Sequence, residues 1–413
     1  MSIIENLKLD EDWLQDEKLQ TLFDILERDG GEARVAGGAV RNALMGKPAS
    51  DVDLCTTVLP EQVLSRLKEA GYKGVPTGIE HGTITAVIEG KVFEVTTLRK
   101  DIETDGRHAV VEFGTDWQED ANRRDLTING LYCDRVGNVY DYVNGYPDIS
   151  EKQVRFIGDA AIRIKEDSLR ILRFFRFFAW YGEGRPDAAG LKACAQGKDL
   201  ISGLSVERVW AELKNTFSAP DPGRAILWMR TTGILGVVLP ESQKWGTDAI
   251  PGVLRLEVQE GWKPDPLFRL MGMVRPHKET VEGLSDRLSM SNAEKERLTD
   301  WADSIAPSPY TSLSDLERQI YHANKQGMLD AMRLEAVHLL GRDDEARALA
   351  LLKLAKHCEE WVKPKFPLQG HDLAELGMSS GPEMGKQLKA LEAKWVESGF
   401  SLSKQTLLET IKV

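Results

Sequence analysis

The chain has 413 residues, of which 42% are apolar, and a formal net charge of −12. That length implies two to four domains, and that apolar share lets each bury a core. No apolar run approaches a membrane span, the N-terminus lacks the basic-then-apolar pattern of an export signal, and Cys55, Cys133, Cys194 and Cys358 form no CxxC pair. Membrane, disulfide-scaffold and cysteine-zinc classes are therefore set aside, and a reducing cytoplasm is expected. The negative charge would oppose nucleic-acid binding if it were spread evenly. Basic residues cluster instead, at Arg123-Arg124, at Arg163, Lys165, Arg170, Arg173 and Arg176, and at Lys353, Lys356, Lys363 and Lys365.

In chain order, the first third reads as mixed α and β. A helix is expected over 11–28, then a strand at Ala33–Ala36 running into Gly37-Gly38, and a short helix around 40–44 that stops at Gly46. A strand follows at 51–55, then a helix from Pro60, a residue suited to a first helical turn. Thr83–Ile88 and 92–98 flank Glu89-Gly90 as a hairpin. The polar stretch 99–120 reads as a mobile loop, and 131–133 and 139–142 as strands. Beyond about Tyr146 helical periodicity dominates, at 159–181, 205–217, 222–234, 265–275, 292–305, 312–324, 345–361 and 383–397. Proline-containing breaks near 218–222, 306–309 and 364–367 mark joints. The expected fold is an α/β head on an all-α neck, body and tail: a head over 1–146, a neck over 147–218, a body over 219–306 and a tail over 307–413.

Ser50-Asp51-Val52-Asp53-Leu54 is the segment with chemistry. Alternation on a strand puts Asp51 and Asp53 on one face. Two carboxylates that close repel unless a cation lies between them, and Mg²⁺ takes carboxylate and phosphate oxygens. A D-x-D pair alone is common on solvated strand faces. Here Gly37-Gly38 opens a helix containing Arg41, a turn whose N–H groups can cradle phosphate. Glu94, between apolar neighbours, either faces solvent or joins a site. Two Asp on one strand and an acid on another form the arrangement of a two-metal phosphoryl-transfer centre, with Asp51 and Asp53 as ligands of two Mg²⁺ ions.

Gly37-Gly38-Ala39-Val40-Arg41 through Asp51-Val52-Asp53-Leu54 resembles the signature of class II CCA-adding enzymes and bacterial poly(A) polymerases, members of the polymerase-β nucleotidyltransferase superfamily. Arg123-Arg124-Asp125-Leu126-Thr127-Ile128-Asn129-Gly130 resembles their second motif. Lys165-Glu166-Asp167-Ser168-Leu169-Arg170, continuing to Arg173, Arg176 and Phe177, resembles their nucleotide-recognition helix, and Ser205-Val206-Glu207-Arg208 with Glu212-Leu213 resembles the helix after it. Gly370-His371-Asp372-Leu373 with Gly381-Pro382 resembles the tail segment found in many members. Asn42, Leu126 and Gly130 depart from the usual Asp, Phe and Ala. Asn42 puts in doubt any helper role of a carboxylate there, and Gly130 is expected to loosen local packing.

The resemblance implies CCA addition to tRNA with Asp51, Asp53 and Glu94 as catalytic residues and Gly38, Arg41, Arg124, Asp125, Asn129, Asp167, Arg170, Arg173 and Arg176 as the nucleotide site. Physically, Arg124 suits phosphate, and Asp125 and Asn129 suit ribose hydroxyls. Asp167 and Arg170, three apart on a helical pattern, share a face as an acceptor and a donor. Cytosine and adenine match such a pair with an amino group beside a ring acceptor, whereas uracil and guanine clash with it. The phenylalanines of that segment and Trp180 read as core, Glu207 and Arg208 as structural ion-pair residues, and His371-Asp372 as packing or capping. The expected substrates are CTP, ATP and tRNA, and the expected state is a monomer or homodimer with no membrane partner. A poly(A) polymerase and a CC-only or A-only enzyme share these motifs. A catalytically dead RNA-binding protein and nucleotidyl transfer to a small molecule are readings of other classes. The first sits poorly with intact acids and the second with a long helical body.

Overall fold

The computed structural model describes residues 3–49, 51–105 and 108–411, with side chains outside Asn6, 101–110 and 244–245. Ser50 and the tip of the expected mobile loop, Gly106 and Arg107, lie outside the described residues. The chain divides into two compact units, Met1–Pro240 and Glu241–Val413. The expected joint at 218–222 thus falls inside the first unit.

Among the described residues the first unit holds ten strands: β1 (Ile3–Lys8), β2 (Ala33–Ala36), β3 (Leu54–Thr56), β4 (Lys73–Gly78), β5 (Thr83–Ile88), β6 (Lys91–Thr97), β7 (Arg99–Asp105), β8 (His108–Phe113), β9 (Leu131–Cys133) and β10 (Asn138–Asp141). Eight form one sheet in the order β1-β10-β9-β2-β3-β6-β5-β4, and β7 pairs with β8 separately. Within the large sheet only β3 and β6 run parallel. The β5–β6 hairpin turns at Glu89 and Gly90, both at positive φ (47° and 82°), the geometry of a tight turn that matches strand twist.

Among the described residues eleven α-helices lie between and after these strands: α1 (Glu17–Leu26), α2 (Gly38–Leu44), α3 (Pro60–Glu69), α4 (Trp117–Arg123), α5 (Gly145–Ser150), α6 (Ala160–Glu166), α7 (Leu169–Tyr181), α8 (Ala188–Gly197), α9 (Val206–Phe217), α10 (Gly223–Thr231) and α11 (Ile234–Val238). The amphipathic α1 buries Leu19, Leu22, Phe23, Ile25 and Leu26, and α3 buries Val63 and Leu67, against β4 and β5. The helix expected over 11–28 is shorter. Asp16 accepts hydrogen bonds from the Lys18 and Leu19 amides, which makes it an N-cap and separates a 3₁₀ turn from α1.

Two further expectations fail locally. The polar stretch 99–120 is a β-hairpin followed by α4, whose cap is Asp116, bonded to the Gln118 and Glu119 amides. The segment 159–181 is two helices. Asp167 is extended (φ −150°, ψ 108°), so α6 ends there and α7 begins after Ser168. The α7 phenylalanines are core, as expected: Phe174, Phe175, Phe177 and Phe178 are buried, together with Leu169, Ile171 and Leu172, each side chain contributing about 1.5–3 kcal/mol. Trp180 is only half-buried, and its indole N–H donates to the Asn215 carbonyl.

The regular elements of the second unit are all helices among its described residues, with long ones at Ile250–Glu260, Asn292–Asp303, Lys325–Leu340, Glu345–Glu360 and Pro382–Glu397. Arg269 is fully buried and grips Glu257 through two bonds of 2.9 and 2.5 Å. His371-Asp372 has the expected capping role: Asp372 bonds the Gln369 amide at 2.7 Å and pairs with Lys404.

Candidate active site

A cleft of about 560 Å³ opens where β2, β3 and β6 meet α2, α4 and α7. Its acids are positioned by strand register. The strand expected over 51–55 enters the ladder only at Leu54, and Asp51 and Asp53 precede it in extended chain. Asp53 is nevertheless anchored, because its carbonyl accepts from the Ala36 amide at 2.9 Å. Leu54 pairs with Val95, so Asp53 leads into β3 beside Glu94 on β6. On β6, Phe93, Val95 and Thr97 are buried, so alternation turns Glu94 to the open face. The doubt over Glu94 is thereby resolved: it and Asp53 both line the cleft. Asp51 is exposed and outside the lining, yet its charge acts on Asp53. Burial first, then Glu94 and Asp51, push the Asp53 carboxyl above its usual range, with Arg124 opposing.

Seven arginines face these acids: Arg41, Arg99, Arg123, Arg124, Arg170, Arg173 and Arg208. Only four carboxylates line the same space, so the cleft is locally cationic in an acidic chain. Gly37, at φ +65°, turns the chain from β2 into α2, and a Cβ there would meet Arg124 Nη1 at 3.3 Å. Gly38 lines the cleft beside it. Arg41 is buried; its Nη1 donates to Asn129 Oδ1 at 2.5 Å and its Nη2 to the Tyr181 hydroxyl at 2.7 Å. Burial holds the Arg41 pKa below its ordinary value. Asn42 accepts from Arg41 (3.2 and 2.9 Å) while its amide donates to the Pro48 carbonyl at 2.9 Å, a contact a carboxylate could not make.

Asp120 organises the arginine wall. Fully buried, it accepts from Arg123 Nε at 2.9 Å, from Arg124 Nε and Nη2 at 3.3 and 3.2 Å, and from the Tyr132 hydroxyl at 2.7 Å. Burial opposes its charge, but Arg124, Arg123 and Tyr132 together hold its carboxyl below the usual range. Arg124 also reaches Cys55 Sγ at 3.1 Å. The Cys55 thiol is pushed up to about 11 by burial, so it is neutral there. Asp125 accepts from Arg173 Nε at 2.6 Å and from Asn129 Nδ2 at 3.3 Å, joining the second motif to α7.

The two residues expected to choose the base are brought together differently from expectation. Because α6 breaks at Asp167, Asp167 and Arg170 do not share a helix face. Asp167 Oδ1 accepts from the Leu169 amide at 3.0 Å and Oδ2 from Arg208 at 2.8 Å. Arg170 donates to the Arg163 carbonyl at 3.0 Å and pairs with Glu166. Both still line the cleft, each held by a neighbour. Arg176 is absent from the lining and lies 3.2 Å from Glu212. Sequence reasoning passed over Asp120, Arg99 and Tyr181, and assigned Arg208 a structural role only. The i, i+3 and i, i+4 spacing of Asp120 to Arg123 and Arg124 was the available signal for the first.

Gly130 does the opposite of loosening. A Cβ there would come within 2.5 Å of Val143 Cγ2, so the missing methyl permits close packing.

Fold and cleft define a nucleotidyltransferase. Residues 33–155 match the "Poly A polymerase head domain" family, and residues 187–245 match the "Probable RNA and SrmB- binding site of polymerase A" family. The chain is 36% identical to "CCA tRNA nucleotidyltransferase 1, mitochondrial" of Danio rerio over 94% of its own length and 89% of the relative's. It is 34% identical to the Homo sapiens protein of that name, over 96% and 90%. The crystal structure of the Bacillus stearothermophilus CCA-adding enzyme in complex with CTP superposes with a TM-score of 0.70 at 26% identity, covering 95% of this chain and 96% of that one. The chain belongs to the family of CCA tRNA nucleotidyltransferases. Enzymes of this family generally use divalent metal ions. The acids here suit one, being all-oxygen donors whose mutual repulsion falls on Asp53. Among the described residues no group of three or more His, Cys, Asp or Glu side chains is placed to hold a metal ion by itself. Asp53 and Glu94 line the open cleft and Asp51 lies outside its lining, a partial set of oxygen donors that fits an ion shared with substrate phosphates.

Proposed function

We propose that the protein adds C, C and then A to the 3′ end of tRNA, from CTP and ATP and without a nucleic-acid template. The observation that carries this reading is the meeting, in one cleft, of Asp53, just ahead of β3, and Glu94 on β6 with a wall of arginines and with Asp167 and Arg170. Arg41 and Arg124, with the Gly37-Gly38 turn, hold the triphosphate. Asp125 and Asn129 face the ribose. Asp167 accepts from the amino group of cytosine or adenine, and Arg170 donates to the adjacent ring nitrogen. Arg208 and Glu166 keep these two side chains at fixed angles, so uracil and guanine leave buried polar groups unpaired. Asp51 and Asp53, aided by Glu94, are the residues that would hold two Mg²⁺ ions, which when bound lower the pKa of a ribose hydroxyl and neutralise phosphate charge. The tRNA 3′-oxygen forms a bond to the α-phosphorus, and pyrophosphate leaves in line with it. Positioning and charge stabilisation supply the acceleration.

The chain is also proposed to act in the cytoplasm, as a monomer or homodimer. Among the described residues no helix is long and apolar enough to cross a membrane, and all four cysteines are buried free thiols. The test offers purified protein three tRNAs, ending before, within and after CCA, with each nucleoside triphosphate separately. Completion to CCA followed by a stop is expected. Long A tails on any RNA would assign the cleft to poly(A) synthesis instead.

A further inference from the structure

The arginines of the catalytic cleft are not equally placed. Arg123 and Arg124 share Asp120, Arg170 pairs with Glu166, Arg173 with Asp125 and Arg208 with Asp167. Arg41 is buried beside the Gly37-Gly38 turn, where a Cβ on Gly38 would lie 3.8 Å from its Nη2. Among the described residues no carboxylate bonds it. Its Nε and Nη2 share Asn42 Oδ1, at 3.2 and 2.9 Å, Nη2 also donates to the Tyr181 hydroxyl at 2.7 Å, and Nη1 donates to Asn129 Oδ1 at 2.5 Å. The Tyr181 ring faces the guanidinium, with its centroid 4.0 Å from Cζ. These contacts occupy four of the five N–H groups of a guanidinium, and the fifth, on Nη1, has no acceptor among the described residues. Asp125 acts on Arg41 only at a distance, its carboxylate being bonded to Arg173 at 2.6 Å.

A buried cation without a counter-ion is costly, and neutral acceptors orient a guanidinium without cancelling its charge. Asn42 sits where that cost could be removed, because an acid beside Nε and Nη2 would form a charged fork with them. Asparagine keeps the fork in place and leaves the positive charge standing. Its amide donates to the Pro48 carbonyl at 2.9 Å, which keeps the oxygen turned to Arg41. We propose that Asn42 is a positioning residue that sets affinity for the triphosphate: it fixes Arg41 at the cleft and leaves the charge to be neutralised by the phosphates of the incoming nucleotide. The proposal rests on the nucleotidyl-transfer reading above and deepens it. Phosphates are common to CTP and ATP, so both nucleotides respond alike, and base choice by Asp167 and Arg170 is untouched.

The test compares Asn42→Asp and Asn42→Ala with the parent in the full chain, in preparations whose circular dichroism matches. The signature that this segment resembles carries Asp at the position, so the fold is expected to accommodate it. Calorimetry measures Kd for CTP, ATP and inorganic pyrophosphate, and steady-state incorporation measures KM and kcat. Asn42→Asp should raise Kd and KM for CTP and ATP by one common factor of at least about fivefold, with kcat at saturating nucleotide within about twofold of the parent. Its pyrophosphate affinity should also depend less steeply on KCl, because one cation facing the phosphates is neutralised. Asn42→Ala loses the Pro48 contact as Asn42→Asp does but adds no charge. It should fall between the parent and Asn42→Asp and keep the parental salt dependence. An Asn42→Asp chain with parental Kd overturns the proposal. Equal losses in the two variants would make the Pro48 contact the cause and overturn it too, as would a change confined to one nucleotide. If the contrast in Kd holds but the parent transfers no nucleotide to tRNA, the catalytic reading fails while this one stands.

Discussion

Asp120 offers a direct way to ask whether the arginine wall is built or merely present. Asp120→Asn keeps the shape of the side chain and removes its charge. The carboxylate has no exposure, while the Arg123 and Arg124 side chains are 17% and 19% exposed. Losing one partner of a buried ion pair costs about 3–5 kcal/mol, and the partial exposure of both arginines places this case near about 3. For a unit of this size each kcal/mol moves Tm by roughly 2–4 °C, so melting should fall by roughly 6–12 °C. The sign follows from Asp120 being held below its ordinary pKa of 3.8: its contribution is complete above that pH and is lost as pH falls through the lower folded value. The gap between parent and variant should therefore be flat from pH 8 to pH 5 and narrow only in strong acid. Arg124, released from its anchor, should raise the KM for CTP about tenfold, equivalent to ~1.4 kcal/mol. Asp116→Asn, which caps the same helix from an exposed position, is the control and should move Tm little, since Asn caps as well as Asp. Thermal melting by circular dichroism decides. An Asp120→Asn chain melting within 2 °C of the parent would refute the reasoning.

Asp53 should behave in the opposite sense. Its pKa is raised, so its ionised form costs stability as pH rises above 3.8, and Asp53→Asn should raise the Tm of metal-free protein at pH 7. A lowered Tm would contradict that. Asp167→Ala should admit UTP or GTP at a measurable fraction of the CTP rate, and Arg208→Ala should do so more weakly, as read by single-nucleotide incorporation; unchanged selectivity in both would remove this pair from base choice. Gly130→Ala should cost about 1–3 kcal/mol through its clash with Val143, and Val143→Ala should recover most of that loss in denaturant melts.

Much of the head was legible because its signals are local. Val35 and Leu54 sit in short apolar runs, and Glu89-Gly90 carries its own turn geometry. The strands that escaped are those whose composition contradicts their state. β4 contains Pro76 and two glycines and reads as a turn, yet it survives at the sheet edge, where a missing N–H is tolerated. β1, at the other edge, has an irregular register and an exposed Ile3, which erases alternation. The helix at Lys325–Leu340 is buried nearly all round, so it has no polar stripe to give a period. Within the site, Asp53 and Glu94 are neighbours only because β3 and β6 pair in parallel across forty residues, and no periodicity announces that. The break at Asp167 escaped because Glu166 to Arg170 are acceptable helix residues. At the break the Asp167 carboxylate accepts from the Leu169 amide at the start of α7 and from Arg208 on α9, and the second of these contacts is tertiary.

The most direct measurement compares chemistry with binding in Asp53→Ala: single-turnover incorporation of CMP into a tRNA lacking CCA, and the affinity for that tRNA, in one preparation. If the carboxylates serve nucleotidyl transfer, the rate falls by at least about a thousandfold, on the order of 4 kcal/mol, while Kd stays within about twofold. A chain that keeps its rate, or that loses tRNA in step with activity, would contradict the account.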